Sequence, residues 1–236
     1  MKHKTIIVRT VFLLCLLLSI LNASGQNGIT LCDTSSTIDK MLGEKLLARV
    51  YLNTQVSNNI QYFNNWSPGD VVLLDGNTVK NELLRYNSFI DELIWLRAND
   101  YSRGIIYKST VKEFVLYNDK HVPFAYFKRI KFKNWYSVDT TDTYLQVLEE
   151  GKLSLYVRRR VLNINKSTKE LVPKDIFFMK IDGQYYSFSP NRINLFRLMK
   201  ENKEKMKTIV RGGHFKIRRE PELIQAIKKY NAEYGN

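Results

Sequence analysis

Reactive side chains are scarce in this sequence. Only two cysteines and three histidines occur in 236 residues, and Cys15 and His3 fall within the first 25. The remaining Cys32 cannot form a disulfide within its own chain, so it is either passive or a partner for another molecule. His121 and His214 lie 93 positions apart, which excludes the close Cys/His spacing of a structural zinc site. No Gly-x-Ser-x-Gly elbow accompanies either histidine, and both stand beside turn residues, Pro123 and Gly213. The eleven glycines are dispersed, with no Gly-rich loop between a strand and a helix, so a phosphate cradle is missing and no cofactor is expected. After Leu21 charged residues interrupt every apolar run, and no transmembrane segment is expected there.

The longest apolar run covers residues 11–21, with Ser19 the single polar residue within it. It follows Lys2, Lys4 and Arg9 and precedes Asn22, Ala23, Ser24 and Gly25. A basic start, an apolar core and a small-residue end make a signal peptide, with Ala23 and Gly25 placing the cut between Gly25 and Gln26. Eleven residues fall well short of the about 20 that cross a bilayer. Lipid attachment needs a small residue before the acceptor, whereas Cys15 follows Leu14 and Cys32 follows Leu31. The chain is therefore expected to be exported, to the periplasm or the cell surface.

Acidic residues are in deficit. Lys and Arg number 37 against 23 Asp and Glu, a net +14, and loss of three basic residues with the leader leaves +11. Such a surplus points to an anionic partner. Export argues against nucleic acid and leaves an anionic envelope lipid, a polysaccharide or another protein.

Residues 26–65 read as a polar lead-in with a short helix carrying Ile38, Met41, Leu42 and Leu46. From Trp66 onward, short apolar runs alternate with turn signals about every ten residues, the rhythm of an antiparallel sheet. Asp75-Gly76 and Asp182-Gly183 suit two-residue hairpins, because both positions tolerate positive φ. In residues 122–138, Val122, Phe124, Tyr126, Ile130 and Phe132 are expected on a buried face and Arg129, Lys131 and Lys133 on a wet one. In residues 152–164, Leu153, Leu155, Val157 and Val161 alternate with Tyr156, Arg158 and Arg160, while Arg159 breaks the pattern. Ser189-Pro190 reads as a helix start, with Ile193, Phe196 and Met199 as its apolar stripe. A Lys/Glu-rich helix over 201–211 stops at Gly212-Gly213, and a last helix from Glu220 or Pro221 carries Leu223, Ile224, Ile227 and Tyr230. The expected fold is α+β and mainly antiparallel β. It is a meander-like sheet, sandwich or open barrel, with a short N-terminal helix, two or three C-terminal helices and a single β-rich domain over 66–234.

Two constellations bear on function. Arg129, Lys131 and Lys133 project together, as do Arg158 and Arg160; if their strands are neighbours, five cations share a face with aromatics such as Trp135 and Tyr156. That face could hold a polyanion. The acids Asp91-Glu92, Asp139 with Asp142, and Glu149-Glu150 could instead serve a hydrolase acting on envelope glycans, but strand neighbours point to opposite faces. The leading expectation is a non-enzymatic envelope protein that binds a partner; the alternatives are that hydrolase or a structural component of an envelope assembly.

The segments Gly69-Asp70-Val71-Val72-Leu73-Leu74-Asp75-Gly76, Leu84-Arg85-Tyr86-Asn87 and Asp91-Glu92-Leu93 resemble the N-terminal half of a family of uncharacterised exported proteins of Bacteroidetes-type bacteria. Residues 111–114, 144–157 and the Asp182-Gly183-Gln184-Tyr185-Tyr186 hairpin are similar to the rest, so the resemblance covers about residues 50–233. It implies export and a β-rich build, and it carries no functional residues. The leader yields the first prediction: N-terminal sequencing of the released protein should begin at Gln26, and a cytosolic product starting at Met1 would contradict export.

Overall fold

The structure is a computed structural model, and it describes residues 46–51, 59–133, 140–165, 167 and 170–235. All of these belong to one compact unit, Asp39–Asn236. Of the helix expected over Ile38, Met41, Leu42 and Leu46, the first three lie outside the described residues, and Leu46 is buried in non-helical backbone ahead of β1.

Thirteen strands are described: β1 (Ala48–Val50), β2 (Ser67–Leu73), β3 (Thr78–Asn87), β4 (Glu92–Leu96), β5 (Arg103–Ile106), β6 (Val111–Tyr117), β7 (Pro123–Lys133), β8 (Thr140–Glu149), β9 (Ser154–Arg158), β10 (Val161–Asn165), β11 (Glu170–Pro173), β12 (Ile176–Ile181) and β13 (Gln184–Phe188). Three helices follow, α1 (Arg192–Leu198), α2 (Lys203–Gly212) and α3 (Glu220–Tyr234). The fold is thus mainly antiparallel sheet with its helices at the C-terminal end, as the alternation of short apolar runs implies. Eleven strands form one open sheet in the order β1-β5-β4-β3-β2-β6-β7-β8-β9-β12-β13, and β10 and β11 make a separate ribbon. The polar lead-in contributes β1, whose Ala48 is fully buried.

Turn chemistry decides the hairpins. Asp182 and Gly183, at φ of 49° and 80°, form the two-residue loop between the paired Ile181 and Gln184. At the other site the loop is longer: Leu73 N–H donates to Asn77 O and Gly76 N–H to Leu73 O, enclosing Leu74, Asp75 and Gly76. The Asp75 carboxylate holds the Asn77 N–H, and Gly76 takes the left-handed position at φ 91°.

The sheet must curl. In a flat sheet β5 and β6 would stand four strand spacings apart, about 19 Å, yet only residues 107–110 join them. The curl surrounds an aromatic core in which the rings of Phe114 and Phe127 stack at 4.7 Å and Tyr86 and Tyr144 meet edge to face at 6.1 Å. Directly paired residues share a face, so Phe127, Gln146 and Val157 look the same way. That face of β9 and β12 receives the helices: Leu155, Val157 and Met179 pack with Leu195, Met206, Ile209, Leu223 and Ile227. The opposite face carries a smaller cluster of Leu145, Tyr156 and Phe178, flanked by Ile130 and Phe132.

β7 departs from the expected single buried face. Ala125 and Phe127 are buried on the face of Arg129, whereas Val122 and Phe124 are exposed. β7 sits between two cores, so its first half buries one face and its second half, through Ile130 and Phe132, the other. The helix starts also shift. Asn191, not Ser189, caps α1 by accepting the Asn194 N–H at 2.9 Å, and Ile193 is 79% exposed while Leu195 takes the buried position.

One carboxylate closes the gap where β9 leaves the sheet. The pairing of Gln146 with Val157 would set Arg159 opposite Tyr144, but β9 ends at Arg158 and the chain turns away into β10. The β3–β4 loop fills the opening, with Ser88 O accepting the Val161 N–H. Asp91, at φ 58°, then accepts the Tyr144 N–H at 3.3 Å in place of a ladder partner. It also takes Tyr86 Oη–H at 2.6 Å, Thr143 Oγ1–H at 2.8 Å and Lys108 Nζ at 2.9 Å, with Arg158 at 3.9 Å. Removing one member of a buried charge pair leaves the other uncompensated. Asp91→Asn, which keeps a residue tolerant of this φ but not the charge, should lower unfolding free energy by about 3 kcal/mol in urea titration. The exposed turn residue Asp75→Asn should change it by no more than about 1 kcal/mol.

Candidate functional site

The five sheet cations do not assemble. β8 lies between β7 and β9, so their strands are not neighbours. Arg129 shares the face of Phe127 and Val157, and strand alternation turns Arg158 to the opposite one. Arg129 is also bound twice by Asp142, at 2.8 and 2.7 Å, and donates to Ser109 O, with only 7% of its side chain exposed. Arg158 leans toward Asp91. Lys131 is exposed and paired in register with Asp142. Of Lys133 the described structure includes the backbone alone, and Trp135 lies outside the described residues. Arg160 lines a hollow of about 240 Å³ with Tyr62, Phe63 and Asp175, where burial and then Arg158 hold its guanidinium below the usual range.

Arg159, the residue that breaks the strand pattern, is the joint between sheet and helices. It donates to Gln146 Oε1 at 2.7 Å, Asp175 Oδ2 at 2.5 Å and both oxygens of Glu220 at 2.9 and 2.6 Å. Glu220 is the first residue of α3, so this fork fixes where that helix starts on the sheet. Asn231 fixes it further along, bonding both Leu153 N–H and Leu153 O.

Three of the six candidate acids gather near Lys108. Asp91 is saturated as described, Asp142 is held below the usual carboxylate range by the Arg129 fork, and Glu92 is raised above it by burial. Asp139 lies outside the described residues. Glu150 sits elsewhere, on Lys128 at 2.6 Å. The Tyr144 hydroxyl is buried with no hydrogen-bond partner among the described residues, and burial pushes it, like Tyr86, well above its ordinary value. His121 stacks on Tyr117 and, like His214, takes positive φ in a turn. Among the described residues no three His, Cys, Asp or Glu side chains are placed to share a metal ion. No described helix is long and apolar enough to cross a membrane.

Uncommitted charge collects on the helices. Residues 189–236 hold 12 Lys and Arg against 5 Asp and Glu, a net +7 out of +14, so the charge partition was open to inspection in the sequence. Beside α1 lies a groove of about 680 Å³ formed by Asn191, Arg192, Ile193 and Asn194 on one side and Lys216, Ile217, Arg218 and Arg219 on the other. Its two walls are tied by Arg192 Nη2, which donates to Phe215 O at 3.2 Å. Gly213 lets that loop close up, since a Cβ there would strike the Phe215 ring. No acid is among the described residues that line the groove. Glu222, just behind it, accepts the Lys216 N–H at 2.5 Å and stands 3.4 Å from Arg219. Lys216 Nζ and the Arg218 guanidinium make no hydrogen bond or ion pair with any described residue.

Comparison with protein families, curated proteins and solved structures returns no match.

The acid cluster gives a test with a sign. The folded pKa of Glu92 lies above its unfolded value, so its contribution favours folding below about pH 4.3 and is lost as pH rises through the folded pKa. Asp142 behaves oppositely: its pKa is depressed, and its stabilisation is present above about pH 3.9 and lost as acid protonates it. Glu92→Gln should therefore raise the urea midpoint at pH 7 and leave it unchanged near pH 3.5. Asp142→Asn should lower the midpoint at pH 7, with the difference closing as acid protonates the folded carboxylate.

Proposed function

We propose that this is an exported, non-enzymatic binding protein of the periplasm or cell surface, which takes an anionic partner in the groove beside α1. The observation that carries this reading is a groove bordered by Arg192, Lys216, Arg218 and Arg219 with no acid among the described residues that line it. A guanidinium without a carboxylate is ready for phosphate, sulfate or carboxylate oxygens, because its fork matches their geometry. The sheet cations are weaker candidates, since Arg129 and Arg158 already face Asp142 and Asp91. The curl of β2–β6 supports an open barrel over a sandwich, and the family resemblance supports export.

Heparin serves as the probe polyanion. Replacing Arg192, Lys216 and Arg218 together by Ser should weaken retention on the order of tenfold, from about 0.5 kcal/mol for each screened pair. A Lys131→Ser/Arg160→Ser protein should elute with the wild type. No retention of the wild type at low salt, or equal elution of the triple variant, would overturn the reading.

A further inference from the structure

We infer that the groove is the contact surface for a bilayer rich in anionic phospholipid, with Ile193 entering the acyl boundary while the surrounding cations hold phosphate. The inference rests on the anionic-partner reading above and goes one step further, to the kind of partner.

Ile193 is the most exposed large apolar side chain among the described residues, at 79%. A single exposed isoleucine is ordinary; its setting is not. It lies in the first turn of a helix whose Leu195 and Met199 reach the core, so the side chain projects away from the protein. Arg192 precedes it in the chain, and Lys216, Arg218 and Arg219 stand across the groove. An apolar tip ringed by long basic side chains is the arrangement by which a protein lies on a membrane interface. The tip is buried at the acyl boundary, the basic stems snorkel beside it, and the charged ends meet the headgroups.

A soluble polysaccharide or an acidic peptide satisfies the cations but leaves Ile193 in water. An anionic bilayer satisfies both at once, since its surface potential attracts the net +7 of residues 189–236 before any insertion. The arrangement is also separate from the sheet core. Ile193 makes no part of the cluster that holds the helices to β9 and β12, so it can be changed without disturbing the fold.

The test uses the protein in the form released by its producing cell, sedimented with vesicles of phosphatidylcholine alone or with 30 mol% phosphatidylglycerol, about a third of the lipid being charged. Heparin retention is measured in parallel. The wild type should sediment with the charged vesicles and not with the neutral ones. Ile193→Ser should weaken vesicle binding roughly ten- to a hundredfold, the transfer of one isoleucine side chain, and leave heparin retention unchanged. Arg218→Glu should weaken both. In Ile193→Trp, tryptophan emission should shift to the blue only with charged vesicles. Heparin retention without vesicle binding, equal binding to neutral vesicles, or an Ile193→Ser protein that binds vesicles like the wild type would overturn the bilayer assignment and leave the anionic-partner reading standing. Failure to bind either probe would overturn both.

Discussion

The fold turns on how one negative charge replaces a missing length of strand. β9 stops at Arg158, and the backbone of β8 beyond that point would present an unsatisfied N–H in the middle of the sheet. An unpartnered buried N–H is expensive, so something must occupy the gap. Asp91 does so from another hairpin, and its second oxygen collects Thr143 and Lys108. The β3–β4 loop, the β5–β6 connection, β8 and the end of β9 thereby meet at one carboxyl group. The curl of the first strands brings Lys108 to this point, and the departure of the chain into β10 opens the gap that Asp91 fills.

From that junction onward the protein keeps two kinds of cation. Those on the sheet face acids or sit beside other side chains, with Arg129 on Asp142 and Arg159 on Asp175 and Glu220. They set register and fix α3. Those around α1 and the α2–α3 loop have few acids near them, and Lys216 and Arg218 have no ion pair among the described residues. The same residue type thus holds the scaffold together in one place and stands open in another, and the presence of acids across the strand decides which.

Much of the scaffold was legible in the chain. Strand rhythm from β2 to β13, the Asp182-Gly183 turn and the apolar stripe of α3 follow from local pattern, because each depends on residues within one turn or one hairpin. The faces of β7 were not, since alternation says which residues share a side but not which side meets a core. Here Phe127 and Ile130 are both covered, from opposite directions. The gathering of Asp91 and Asp142 was likewise hidden: they are 51 positions apart and are joined through Lys108 and Arg129, which only the curl brings near. Arg159 could be flagged as an irregularity, but its partners Asp175 and Glu220 are long-range. The groove could have been suspected from the +7 of the last 48 residues, yet the apolar period put Ile193 inside, whereas the helix buries Leu195 and Met199 and leaves Ile193 facing out.

The sheet is open, and its two margins are unequal. β1 is three residues long, whereas β13 offers Gln184, Tyr185, Tyr186, Ser187 and Phe188 with no charge and no proline. One side of β13 pairs with β12, and no other described strand takes the other. Neutral, aromatic edges of this kind are templates for an incoming strand. A net charge of +14 sets like-charged copies against one another at such a margin, the same restraint that charge places on any exposed sheet edge.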